Sequence, residues 1–199
     1  MCDYEKKYSN YNELLKERLS EYRYIHSVNV ARRAFELAKI NDENCEKAYL
    51  AGLLHDITKE DDYETQEKYI GIYGMTLTSL EKSSKSVYHQ ISGAGYIKGV
   101  LGIDDEQVLS AVRYHTTGHS DMTTLEMIVF LADLTSEERS YNDVDTVRSL
   151  SEKSLLDAMQ YSLSFVISDL AKKYRPIYPD TLYCYNWVIE KNKKESESL

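Results

Sequence analysis

The sequence predicts an all-α protein folded as a single-domain helical bundle, and three observations predict it. Only two prolines, Pro176 and Pro179, and eight glycines occur among 199 residues, so most of the chain lacks the residues that interrupt helices or shape tight hairpins. Apolar residues recur at helical spacing along most of the chain, and no region is rich in strand patterns. A chain of this length can enclose a substantial core as one domain, and no linker, repeat or low-complexity stretch divides it.

The elements follow in order. Residues 1–10 read as an N-terminal tail and residues 11–191 as the folded domain. From Tyr11 to Ala38 the residues Leu14, Leu15, Leu19, Ile25, Val28, Ala31, Ala34, Phe35 and Ala38 trace two helices. Asn44 can cap a third, whose apolar run through Ala48, Ala51 and Leu54 ends at HDITKEDD, so His55 and Asp56 close a buried helix. Asp62 to Gly74 is amphipathic, and MTLTSLEKSSK reads as a loop with a short helix.

A helix over about Val87 to Leu101 carries His89, with Gly93, Gly95 and Gly99 pointing to close approach of another helix or a ligand. Asp104 opens the next helix, with Gln107 placed for a capping box, and it runs to His115, where TTGHSD breaks it. Thr123 and Glu126 can cap LEMIVFLAD, which ends its apolar run on Asp133. Helix then resumes over about 143–173 and 181–191, and the last residues, 192–199, read as a disordered tail.

Composition narrows the function classes. A net charge of -9 repels polyanions, which argues against a nucleic acid polymer as partner while leaving room for a small phosphorylated ligand over a metal cluster. Cys2, Cys45 and Cys184 are scattered, as suits a reducing compartment rather than a disulfide framework, and the chain reads as cytoplasmic. No apolar run approaches the ~20 residues needed to span a bilayer, so no membrane partner is expected.

Four of the five histidines stand at helix positions beside apolar runs, and His55 is followed at once by Asp56. A lone buried histidine is more often a satisfied core residue than a ligand, and a lone aspartate at a helix end is usually a cap or ion-pair partner. The absence of any CxxC excludes a thiolate-rich structural zinc site, whereas imidazoles and carboxylates together suit first-row metals such as iron, manganese or zinc.

Together the residues match a known order. His26 in YIHSVNVA, His55 and Asp56 in AGLLHDITK, and Asp133 in VFLAD resemble the HD superfamily of metal-dependent phosphohydrolases. His89 in VYHQISGAG and His115 in AVRYHTTGH match the subset that binds two metals. The chain is most similar to the YqeK family over about Leu14 to Leu170, on RYIHS, GLLHDITK, HQISGA, RYHTTG and ADLTSEER, with Tyr141 and Arg148 beyond.

The resemblance implies a bundle of the HD-domain and phosphodiesterase type, with the metal-site core over about 22–140 and C-terminal helices over about 143–191. It implies symmetrical hydrolysis of diadenosine tetraphosphate to two ADP at a two-iron centre, and the ligand chemistry leaves manganese or zinc as alternative metals. Two metals about 3.5 to 4 Å apart can share a water, lower its pKa and stabilise both the entering and the phosphoryl oxygens. By resemblance Asp56 bridges both metals and is catalytic; His26, His55 and Asp133 complete one, and His89 and His115 hold the other.

Substrate contacts are expected at Lys59, which is also assigned a catalytic part, at the turn Thr116, Thr117 and Gly118 through its backbone amides, and at His119, Arg23 and Arg139. The two arginines could instead brace the carboxylates, and each residue has a plain alternative: a solvated lysine facing the helix dipole, a helix stop, or exposed helix-end arginines that need no function. His119 stands where the family usually has arginine, and Leu134 and Ser136 stand where it usually has lysine and glutamate, so the surroundings of Asp133 are expected to differ. A single-metal nucleotide phosphatase and a non-catalytic nucleotide sensor are the competing readings. The expected partner is a phosphorylated nucleotide, and a homodimer stays open.

Overall fold

A computed structural model describes residues 3–83 and 85–197. Within them the chain forms twelve α-helices and one short 3-10 turn, with no strand. The order is α1 (Asp3–Lys7), α2 (Ser9–Arg18), α3 (Glu21–Ile40), α4 (Cys45–Leu54), α5 (Tyr63–Ile72), α6 (Ser79–Ser83), α7 (Tyr88–Gly99), α8 (Glu106–Tyr114), α9 (Thr124–Thr135), α10 (Val144–Ser151), α11 (Leu155–Lys172) and α12 (Pro179–Glu197). No described helix is long and apolar enough to cross a membrane.

The main core is a large cluster in which α3, α4, α8 and α9 pack on each other, and a smaller one joins Ile70, Leu77, Tyr88 and Ile91. Ala31, Ala34 and Ala38 on α3 and Ala48, Ala51 and Leu54 on α4, the periodic residues of the sequence, are buried in the main core, as are Leu109 and Val112 on α8 and Ile128 and Leu131 on α9. Asn44 caps α4 by accepting from the amides of Glu46 and Lys47. Thr123 and Glu126 close a reciprocal capping box on α9.

The glycines of α7 mark a close helix crossing. A Cβ on Gly95 would lie 2.0 Å from the Tyr69 carbonyl oxygen, and one on Gly99 would lie 2.3 Å from Ile72 Cγ2. Only hydrogen at these positions lets α7 lie against α5. Gly118 does a different job: its φ of +63° turns the chain after α8, and the space a side chain would need is taken by Cys184 of α12.

Several boundaries differ from expectation. The N-terminal segment is no loose tail, because α1 begins at Asp3 and Tyr4 and Tyr8 pack on Phe35 and Tyr49 with ring centroids 5.9 and 6.2 Å apart. At the other end α12 continues to Glu197, past the expected fraying at 192, and Asn192 Nδ2 donates to Gln160 Oε1 at 2.6 Å. The helix expected over about 143–173 is two, because Ser154 caps a new helix by accepting from the Asp157 amide. The cap of α8 is Asp105 rather than Asp104, and Gln107 accepts from Lys47 Nζ rather than closing a capping box. Cys45 and Cys184 are free thiols, and Cys2 lies outside the described residues.

Candidate metal centre

Six side chains from five helices or their C-terminal ends converge on one cluster. His26 comes from α3, His89 from α7 and Asp133 from α9. His55 and His115 are the C-caps of α4 and α8, and Asp56 follows His55. Three overlapping sets could each hold a cation: His26, His55 and Asp56; His55, His115 and Asp133; and Asp56, His89 and His115, each with ligand atoms within 4.8 Å of one another.

The orientation of the imidazoles follows from where they sit. The last carbonyls of a helix have no intrahelical partner, and the Nδ1 atoms of His55 and His115 use them, lying 2.7 Å from Gly52 O and 2.7 Å from Val112 O. An Nδ1–H that donates to a carbonyl leaves Nε2 with its lone pair directed into the cluster. His26 Nε2 lies 3.1 Å from Asp133 Oδ1. His89 Nε2 lies 3.0 Å from His115 Nε2.

Asp56 divides its carboxylate between two neighbourhoods. Oδ1 lies 3.3 Å from His89 Nε2 and 3.8 Å from His115 Nε2, while Oδ2 lies 3.7 Å from His55 Nε2 and 3.0 Å from Arg23 Nη1. Burial favours a neutral His55 and His89, and brings His115 down to about 4. Burial also opposes charge on Asp56 and Asp133. The electrostatic pull of His55, Lys59, His89 and His115 on Asp56, and the hydrogen bond from His26 to Asp133, outweigh it, so both carboxyls stay below the usual range. For His26 the pull of burial is overcome by Asp133 and Glu138, and it rises to about 9.

These residues fit a divalent cation. His55 Nε2 and Asp56 Oδ1 are buried with no hydrogen-bond partner, a costly arrangement for a lone pair and an anionic oxygen unless a cation lies between them. Ionised carboxylates and neutral imidazoles are the forms that ligate first-row metals.

The remaining predicted residues divide into those at the cluster and those away from it. Lys59 Nζ lies 2.9 Å from His89 Nε2 and 3.6 Å from Asp56 Oδ1. Arg139 pairs with Asp133 Oδ1 and donates to the Asp133 carbonyl at 2.9 Å, so it braces that carboxylate as Arg23 braces Asp56. Thr116 Oγ1 lies 3.2 Å from His89 Nε2. The amides of Thr116, Thr117 and Gly118 already have partners in the chain, as a helix stop would give: the first two donate to Gln90 Oε1 at 3.1 and 3.2 Å, and Gly118 donates to Tyr114 O at 2.9 Å. His119 faces Glu126, with Nε2 3.1 Å from Oε1, and its ring lies on Tyr114 at 4.0 Å between centroids.

Two residues at the site were not singled out in the sequence. Gln90 ties α7 to the turn after His115 and so holds His89 and His115 in register. Its one sequence signal was adjacency to His89. Glu138 meets His26 across 112 residues of chain, and nothing local in SEER marks that contact. Leu134 packs on the main core, and Ser136 Oγ donates to Glu138 Oε1 at 2.6 Å.

Helices that bury histidine and aspartate side chains around a space suited to a cation define a class of all-helical metal-binding domain. Residues 23–138 match the HD domain family. The chain belongs to that family. It is 35% identical over 175 residues to a symmetrical bis(5'-nucleosyl)-tetraphosphatase from Bacillus subtilis, covering 88% of this chain and 94% of that one. It is 37% identical to a protein of the same description from Halalkalibacterium halodurans, over 91% of this chain and 96% of the other. A crystal structure described as a predicted HD superfamily hydrolase involved in NAD metabolism, from Clostridium acetobutylicum, superposes with a TM-score of 0.87 at 34% identity, covering 92% of this chain and 97% of that one.

Proposed function

We propose that the chain hydrolyses diadenosine tetraphosphate symmetrically to two ADP, using two divalent cations, iron foremost, held by His26, His55, Asp56 and Asp133 on one side and Asp56, His89 and His115 on the other. The observation that carries the two-cation reading is Asp56, whose Oδ1 faces His89 and His115 while Oδ2 faces His55. The activity is that named for the relatives from Bacillus subtilis and Halalkalibacterium halodurans, which match this chain over nearly their whole lengths. When bound, the cations supply Lewis acidity at the phosphoryl oxygens and a water of lowered pKa.

The chain's own groups position and neutralise. Lys59, beside His89 and Asp56, places a positive charge where a phosphate oxygen would meet the cluster. The Thr116 hydroxyl beside His89 can hydrogen-bond the same anion. Arg23 and Arg139 pair with Asp56 and Asp133 and orient them, and Arg139 also helps keep Asp133 ionised. No side-chain nucleophile is required.

The test is an assay on protein loaded anaerobically with ferrous iron and given diadenosine tetraphosphate. ADP as sole product is the expected result. AMP with ATP would overturn symmetric cleavage, and nucleotide binding without turnover would overturn the enzyme reading in favour of a sensor.

A further inference from the structure

His26 differs from His55 and His115 in how its ring is held. Those two sit at helix C-termini, where spare carbonyls are at hand for Nδ1. His26 sits inside α3, where the preceding carbonyls are taken by the helix's own amides, so its Nδ1 needs an acceptor from elsewhere. Glu138, in the turn after α9, supplies one: Oε1 lies 2.5 Å from His26 Nδ1.

That carboxylate is fixed from two further sides. Asn29, one turn along α3 from His26, donates to Oε2 at 2.7 Å, and Ser136 donates to Oε1 at 2.6 Å. We infer that Glu138 is the positioning residue for His26, holding its Nδ1 proton so that Nε2, which lies beside Asp133, is the nitrogen presented to a cation and is made a stronger metal donor. The inference rests on the metal-centre reading above. A carboxylate behind a ligating imidazole fixes its tautomer and raises its basicity, and removing such a group typically weakens metal binding about 10- to 100-fold.

The test is zinc affinity of the whole chain by chelator competition, alongside nitrogen-15 NMR of the zinc-loaded protein. Glu138→Ala should bind zinc about 10- to 100-fold more weakly and lose the protected Nδ1 proton of His26. Should that variant not fold, Glu138→Gln serves, with a smaller loss because an amide oxygen accepts without the charge. Affinity within twofold of the unsubstituted chain in a folded variant, with the Nδ1 proton retained, would overturn the inference while leaving the metal centre standing. Failure of the unsubstituted chain to bind zinc would overturn the metal reading itself.

Discussion

Asp56 Oδ1 lies 3.3 Å from His89 Nε2, although one residue follows α4 and the other lies on α7, and neither could find the other from local sequence. The contact makes Asp56 the hinge between the two halves of the cluster. Asp56→Ala should abolish turnover, with a loss of at least about 10³-fold, roughly 4 kcal/mol of barrier, because the histidines alone cannot neutralise or bridge two dications. Steady-state kinetics beside a thermal unfolding scan checks this, and near-normal turnover would contradict the role. The fold should survive, since the residue follows a helix end rather than filling the apolar core.

His89→Ala and His115→Ala should each lower bound metal from two ions per chain to one. Metal analysis after dialysis against a weak chelator reads this out. Unchanged stoichiometry in both variants would leave the assignment of the second ion without support.

Lys59→Ala should retain its metal and still slow the reaction or raise KM by roughly tenfold, since the amine lies beside His89 and Asp56 without completing either ligand set. Loss of metal on substitution would instead make Lys59 part of the cluster's electrostatic support.

The pair His119 and Glu126 carries a pH dependence away from the metal site. Burial opposes charge on His119, but Glu126 raises it above 6.5, so its contribution to stability is complete below pH 6.5 and fades as pH climbs through the folded value. Burial likewise opposes charge on Glu126, while His119 and Ser110 bring it from 4.5 to about 2, so its contribution holds above pH 4.5 and is lost as pH falls toward 2. Both are complete between 4.5 and 6.5. His119→Gln should therefore cost about 1 kcal/mol near pH 5.5 and less near pH 9, read by urea unfolding at both. An equal cost at the two would show that packing on Tyr114 matters more than charge.

Gly95→Ala tests the seat of His89. The added methyl would lie 2.0 Å from the Tyr69 carbonyl oxygen, so α5 and α7 must separate, at a cost of roughly 2 to 3 kcal/mol. A variant as stable as the parent would mean that the crossing is looser than its geometry.

Periodicity and capping made the architecture legible. Ala48, Ala51 and Leu54 stand at helical spacing in the sequence and are buried in the core, and Asn44 and Thr123 cap the helices they announce. Contacts made across the chain were not legible. Tyr4 and Tyr8 look like tail residues until Phe35 and Tyr49 meet them, and the start of α11 depends on a Ser154 cap that apolar spacing does not reveal. At the site, helix-end placement and the resemblance together pointed to six residues that the fold brings together. Glu138 and Gln90 escaped because each acts on a histidine through another element, and the sequence could not show that Gln90 takes the amides of Thr116 and Thr117.

Anomalous scattering at the iron edge, from crystals grown anaerobically with ferrous iron, tests the central claim most directly. The prediction is two peaks about 3.5 to 4 Å apart, one among His26, His55, Asp56 and Asp133 and the other among Asp56, His89 and His115. A single peak would contradict the two-cation centre, and no peak at all would contradict the metal-dependent reading of the whole cluster.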